Sequence, residues 1–145
     1  MIEACTSVDT PSWLELRQAL WPQGTREEHL AEMAAFVAEP ARYAQWIGYQ
    51  QDEAAGLAEA SIRVDYVNGT ESSPVAFLEG LYVVPRFRQQ GIAARLVAEA
   101  ARWAKARGCS ELASDALLEN ERSHAVHRAL GFQETERVVF FRRLL

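Results

Sequence analysis

Two arginines and a glycine stand where an apolar run gives way to a helix: Val83-Val84-Pro85-Arg86-Phe87-Arg88-Gln89-Gln90-Gly91-Ile92-Ala93-Ala94. The first turn of a helix leaves its backbone N–H groups unpaired, and the helix dipole makes that end positive. A pyrophosphate-like anion binds there through backbone donors alone, provided no side chain blocks its approach. Gly91 removes that obstruction, Ala93 and Ala94 keep the next turn small, and Arg86 and Arg88 add positive charge. The segment has neither the Gly-Lys-Ser/Thr of a nucleoside triphosphate loop nor the triple-glycine dinucleotide fingerprint. An ordinary strand-to-helix connection has the same form, so the loop needs independent support.

Two carboxylates stand out upstream and downstream of it. Glu79 interrupts the apolar run Phe77-Leu78-Glu79-Gly80-Leu81. A charge there is costly to bury unless paired or used, and Gly80 beside it suggests a bulge that re-aims the strand. Asp115 ends Leu112-Ala113-Ser114-Asp115, a short strand candidate, and strand ends beside a splay are where α/β sheets place ligands. The structural alternatives are a salt-bridged Glu79 and an Asp115 that caps a turn. Together the two carboxylates would suit a cationic substrate. His29, His124 and His127 show no ligand spacing with the cysteines, so no metal is expected.

These residues need a scaffold, and the pattern supplies one. Ile2 to Thr6 is a strand candidate. Thr10-Pro11 reads as an N-cap with proline at the first helical position, opening a helix that runs to Trp21. Thr25 and Glu28 form a capping box for a second helix with Leu30, Met33, Phe36 and Val37 on one face, ended by Glu39-Pro40. Tyr43 to Gln50 and Leu57 to Val64 read as an antiparallel pair joined around Asp52 to Gly56. A polar loop, Asn68 to Pro74, precedes the Val75 to Val84 strand. The helix from Gln90 to Ala106 buries Ile92, Leu96, Val97, Ala100 and Trp103, and Gly108 ends it. After Leu112 to Asp115 comes a helix from Asn120 to Leu130, and then two closing strands, Phe132 to Glu134 and Val138 to Leu144. The expectation is a mixed α/β fold: one central, mixed, twisted sheet of about six to seven strands flanked by four helices.

Bulk properties bound the function. The 145 residues suit one domain spanning 1–145, with 49% hydrophobic and 24% charged residues, a globular balance. The net charge of −5 argues against nucleic acid. No apolar run is long enough to span a membrane, and the amino terminus lacks a signal pattern. Cys5 and Cys109 read as reduced thiols, and the expected location is the cytoplasm.

The order Arg88-x-x-Gly91-x-Ala93 after a strand resembles the acetyl-CoA pyrophosphate loop of the GNAT superfamily of N-acetyltransferases, and the element order is also the GNAT order. Asn120, Ser123, Gly131 and Phe132 match a second family pattern, with His127 where a tyrosine is usual. The resemblance implies acetyl-CoA as donor, held by the Gln89-Gln90-Gly91-Ile92-Ala93-Ala94 backbone, Arg88 and Asn120. It places the carbonyl near the backbone of Leu81, Tyr82 and Val83, and makes His127 a candidate acid for the leaving thiolate. Histidine suits that task because its ordinary pKa lies near neutrality. Its alternative is packing on the helix face.

Leu20-Trp21-Pro22, Ala60 to Gly69, Glu71 to Val75, Leu78-Glu79-Gly80, Ala113-Ser114-Asp115 and Leu130 to Val138 narrow the resemblance to aminoglycoside 6'-N-acetyltransferases. This implies acetylation of the 6'-amine of a polycationic aminoglycoside, conferring resistance. It makes Glu79 and Asp115 the catalytic and drug-holding carboxylates, with Trp21, Tyr66 and Glu136 lining the site. The Gln23 to Arg26 loop departs from that family. The resemblance also implies a homodimer joined through carboxyl-terminal strands, of which Val138-Val139-Phe140-Phe141 is the candidate. Two other functions fit the residues: a peptide or protein amine acetyltransferase, and a non-catalytic acyl-CoA-binding module.

Overall fold

The computed structural model describes residues 1–145. Its elements are β1 (Ile2–Ala4), α1 (Trp13–Leu20), α2 (Arg26–Ala38), β2 (Tyr43–Gln50), β3 (Glu53–Arg63), β4 (Val75–Val83), α3 (Ile92–Ala106), β5 (Leu112–Ala113) and α4 (Glu121–Ala129). A single 3-10 turn, Pro85–Phe87, links β4 to α3. The five strands form one sheet in the order β1-β2-β3-β4-β5. The first four are antiparallel to their neighbours, and β5 joins β4 in parallel.

Alternation along the strands sorts the core onto two faces. In β2 and β3, Trp46, Ala58 and Ala60 pack against Ile92, Leu96, Val97 and Ala100 of α3. Ile47 and Leu57 face the other way, onto Trp13 and Leu16 of α1 and Met33 of α2. Glu59 and Ser61 continue the Leu57 side of β3, which turns two polar groups toward α1 and α2. The α3 stripe Ile92, Leu96, Ala100 and Ala104 has the three-to-four-residue spacing of one helix face.

The sequence pattern is corrected in four places. The antiparallel pair closes through the two-residue turn Gln51-Asp52, both at positive φ, and β3 begins at Glu53. Gly56 therefore belongs to the strand, and its bare backbone admits Ile92 and Leu96 of α3. Helix α1 starts at Trp13, with Ser12 as N-cap; Thr10-Pro11 lies in the preceding turn, where the Thr10 hydroxyl donates to the Ser7 carbonyl over 2.6 Å. Strand β5 is limited to Leu112–Ala113. Neither closing strand forms. From Phe132 the chain pairs with no strand, so the sheet has five strands, and Val139, Phe140 and Phe141 are exposed. A strand exists only where its backbone finds a pairing partner, and the open edges of this sheet, β1, the two-residue β5 and the upper part of β4, are left unpaired by the chain end.

Candidate active site

The site is organised by one irregularity in β4. Glu59 of β3 pairs with Gly80, but the next residue, Ala60, pairs with Leu78, so Glu79 is the extra residue of a β-bulge. The bulge breaks the alternation of side chains. Leu78 and Leu81 pack toward α3, whereas Glu79 reaches Ser61 and the Cα of Gly80 faces Leu20 of α1 and Trp21 just after it. Two consecutive residues are thus presented to the α1–α2 side of the sheet.

There they face a cleft of about 460 Å³, lined by Arg17, Trp21, Gln23, Gly24, Glu28, His29, Glu32, Phe36, Tyr43, Glu59 and Glu79. Four of these are carboxylates, against one arginine. All hydrogen bonds to the Glu79 carboxylate fall on Oε1: Ser61 Oγ donates over 2.6 Å, Arg63 Nη2 over 2.7 Å and Arg63 Nε over 3.3 Å. Oε2 is left without a protein partner. The salt-bridged alternative for Glu79 is therefore real but incomplete, because one oxygen still accepts.

The cleft rests on a buried polar network. Arg17 pairs with Glu59 and with Glu32, and Trp13 Nε1 donates to Glu59 over 2.8 Å. Arg17 Nε donates to His29 Nδ1 over 3.2 Å. Burial pushes the Glu59 carboxyl up from its ordinary range, while the Arg17 guanidinium and the two hydrogen bonds pull it back toward ionisation.

On the other side of β4 the sheet forks. The β4–β5 ladder holds only Ala76↔Leu112 and Phe77↔Ala113, so β4 has no β5 neighbour from Leu78 onward. The backbone of Leu81, Tyr82 and Val83 lies along this opened edge. Asp115 follows β5, exposed and without a hydrogen-bond partner. Next to it, Ser114 Oγ meets His127 Nε2 at 2.7 Å, and His127 Nδ1 lies 2.7 Å from the Ser123 carbonyl. A carbonyl only accepts, so Nδ1 carries a proton, and in the neutral imidazole Nε2 accepts from the Ser114 hydroxyl. The His127 ring also packs edge-on against Phe132, with centroids 5.3 Å apart. Asn120 caps α4 by accepting from Ser123 N over 3.1 Å.

The predicted anion loop closes the far end of the fork. Gly91 is the N-cap of α3 at φ 81°, a conformation that favours glycine, and a Cβ there would meet nothing within 4 Å. The backbone N–H groups of Gln89 to Ala94 donate to no protein acceptor. A cradle of free donors in open space at a helix N-terminus fits a pyrophosphate. The arginines are not free beside it: Arg86 pairs with Glu53, and Arg88 Nε donates to the Val83 carbonyl over 3.0 Å.

Of the expected site residues, the cleft brings together Glu79 and Trp21, and Ser114 joins His127 beside Asp115. Tyr66 stands on an exposed loop, and Glu136 passes over Gly69 in the same loop; neither lines the cleft. Sequence reasoning missed Arg17, His29, Glu59, Ser61 and Arg63. The test that singled out Glu79, a charge inside an apolar strand, applies equally to Glu59 in Leu57-Ala58-Glu59-Ala60. Arg17 carries no such signal, because it lies in a helix with Glu15 and Gln18 close by.

The Acetyltransferase (GNAT) family matches residues 10–132. The chain is 52% identical over 145 residues to aminoglycoside N(6')-acetyltransferase type 1 of Serratia marcescens, covering 100% of this chain and 99% of that protein. With the protein of the same name from Acinetobacter haemolyticus it shares 50% identity over 141 residues, 97% of this chain and 95% of that one. It superposes with TM-score 0.94 on AAC(6')-Iy in complex with the bisubstrate analogue CoA-S-monomethyl-acetylneamine, at 45% identity, covering 100% of this chain and 98% of that one. With a family match over most of its length and full-length relatives at about half identity, the chain belongs to the GNAT acetyltransferases, in the group of the aminoglycoside N(6')-acetyltransferases.

Proposed function

We propose that the chain, acting as one domain, transfers the acetyl group of acetyl-CoA to the 6'-amine of an aminoglycoside, and so confers resistance to it. The observation that carries this reading is the pairing of an anion cradle with a carboxylate-lined cleft, joined by the opened edge of β4. An acyl-CoA sensor has no need of the cleft.

Acetyl-CoA, when bound, supplies the acetyl group as a thioester. The Gln89 to Ala94 backbone holds its pyrophosphate, with Arg88 and Asn120 at the rims of the fork. The substrate amine arrives as an ammonium, with an ordinary pKa of roughly 10.4, and must lose a proton before it attacks. Glu79 and Asp115 bind the ammonium, and either relays its proton to water. Ser61 and Arg63 pin Oε1 of Glu79, which presents Oε2 to the amine. Backbone N–H groups at Leu81 to Val83 polarise the carbonyl. At the leaving side, His127 holds a proton on Nδ1 against Ser123. In its imidazolium form Nε2–H donates to Ser114, freeing the serine hydroxyl to pass a proton outward. Trp21 walls the acceptor cleft, whereas Tyr66 and Glu136, which do not line it within one chain, meet the drug only in the assembled dimer.

The exposed run Val138 to Phe141 supports a homodimer, in which a partner chain covers these apolar residues and a neighbouring Glu136 approaches the drug. Cys5 and Cys109 are unpaired, in keeping with the reducing cytoplasm where acetyl-CoA is found.

The deciding experiment follows release of free CoA thiol with acetyl-CoA and a panel of aminoglycosides and peptides, and locates the new acetyl group by NMR. Acetylation of kanamycin or tobramycin at the 6'-nitrogen is expected. Turnover of peptides alone would assign the enzyme to peptide amines instead.

A further inference from the structure

The turn between α1 and α2 forms one wall of the acceptor cleft through Trp21, Gln23 and Gly24. Its backbone is closed by Trp21 N donating to the Arg17 carbonyl over 2.8 Å and Gly24 N to the Trp21 carbonyl over 3.2 Å, and one buried side chain ties it to α2. His29, only 3% exposed, directs Nε2 at the Trp21 carbonyl over 3.1 Å and takes the Arg17 Nε–H on Nδ1 over 3.2 Å. Because the carbonyl can only accept and the guanidinium can only donate, both ring nitrogens have fixed roles: Nε2 donates and Nδ1 accepts. The same ring lies against Gly24, where a Cβ would stand 3.0 Å from Nε2.

At the other end, the Trp21 indole rests on the bulge. A Cβ on Gly80 would come within 2.5 Å and 2.7 Å of Cη2 and Cζ2 of the indole, so the ring sits on bare backbone beside Glu79. The buried Arg17 stacks on the ring, its guanidinium carbon 4.8 Å from the centroid. Trp21 is thus gripped between Gly80 and Arg17, and its backbone is tied to His29.

We propose that His29 is the positioning residue of the acceptor cleft: by orienting Arg17 and the Trp21 carbonyl, it sets the gap between the Trp21 ring and Glu79 into which a cationic sugar ring fits. This rests on the acceptor-cleft reading given above. An aliphatic side chain at this place would pack between α2 and the turn as Met33 packs nearby, and a buried polar network is rarely better for stability than apolar packing. The polar contacts of His29 are instead directional, and both end on the groups that hold the indole.

The test compares His29→Leu, which removes both contacts, with His29→Gln, whose amide can donate to the carbonyl and accept from Arg17. Urea unfolding is measured on each. His29→Leu is expected to raise KM for tobramycin by roughly tenfold, the worth of one hydrogen bond, with kcat changed less than about twofold. Acetyl-CoA affinity by calorimetry should stay unchanged, and His29→Gln should recover most of the loss. Gly80→Ala pushes the indole away without touching His29, and should reproduce the rise in KM even if His29→Leu fails to fold. Unchanged KM in Gly80→Ala and in whichever His29 variants fold overturns the proposal, as does a loss shared equally by kcat and acetyl-CoA affinity. If wild-type enzyme does not acetylate tobramycin at all, it is the acceptor-cleft reading that fails.

Discussion

Glu79 and Asp115 each stand two residues beyond Phe77↔Ala113, the last rung of the parallel ladder between β4 and β5. The two strands part at this rung, so the carboxylates flank the opening from opposite sides. One comes from a bulge, the other from a chain segment that has left the sheet. Neither position is available in a regular ladder, where β4 would be paired along its whole length.

Deleting either charge should cripple acceptor use. Glu79→Gln and Asp115→Asn keep the side-chain shape and remove one charge each. A charge-assisted hydrogen bond contributes about 1.5–3 kcal/mol, so kcat/KM for kanamycin should fall roughly tenfold to over a hundredfold. Coenzyme affinity should hold, because the cradle at Gly91 lies elsewhere. Wild-type kinetics in both variants would remove these residues from the site.

The cradle can be tested by contrasting two substitutions at Gly91. Alanine pays only the left-handed backbone cost of roughly 1–2 kcal/mol in stability, since a Cβ meets nothing within 4 Å. Glutamate adds a carboxylate where the pyrophosphate binds. Calorimetry should find near-normal acetyl-CoA affinity for Gly91→Ala and none for Gly91→Glu.

The Arg17–Glu59 pair predicts a large asymmetry. Their side chains are 2% and 4% exposed, so Arg17→Met strands a buried carboxylate, at a cost of roughly 3–5 kcal/mol. Adding Glu59→Gln should recover part of the loss, because the amide carries no charge and still accepts from Trp13. Urea midpoints for the two variants measure this; a neutral Arg17→Met would show that the pair is not closed to water.

Cys5 should be inert in the native protein. Burial, with Glu59 and Glu3 adding repulsion, pushes its thiol up to about 12 from 9.0. Only the thiolate is alkylated, so iodoacetamide at pH 8 should label Cys5 only after unfolding, as read by mass spectrometry. The raised value also sets the sign of its linkage. No stability is lost below the ordinary thiol range, and stability falls as the pH rises from there through about 12.

The chain end should carry the dimer. Phe140 and Phe141 are 86% and 91% exposed, so replacing both with aspartate removes nothing from the core of one chain. Sedimentation should find a dimer for wild type at micromolar concentration and a monomer for the double variant, with unchanged urea stability per chain at high dilution.

Sequence alone determined the parts whose physics is local. The capping box at Thr25 and Glu28, the amphipathic stripe of α3 and the glycine opening of α3 depend on residues near one another along the chain, and the bulge expected at Glu79-Gly80 is marked by the local clash of a charge and a glycine in an apolar strand. Tertiary structure decided the rest. Gly56 looks like a turn residue until Ile92 and Leu96 approach it, and then it is a strand residue with no room for a Cβ. His29 and Arg17 read as ordinary helix positions, and acquire their roles only when α1 and α2 close over Glu59. The last strands show the opposite failure: Val138 to Phe141 has strand-forming residues, but a strand is made by its neighbour's hydrogen bonds, and no other segment pairs with it.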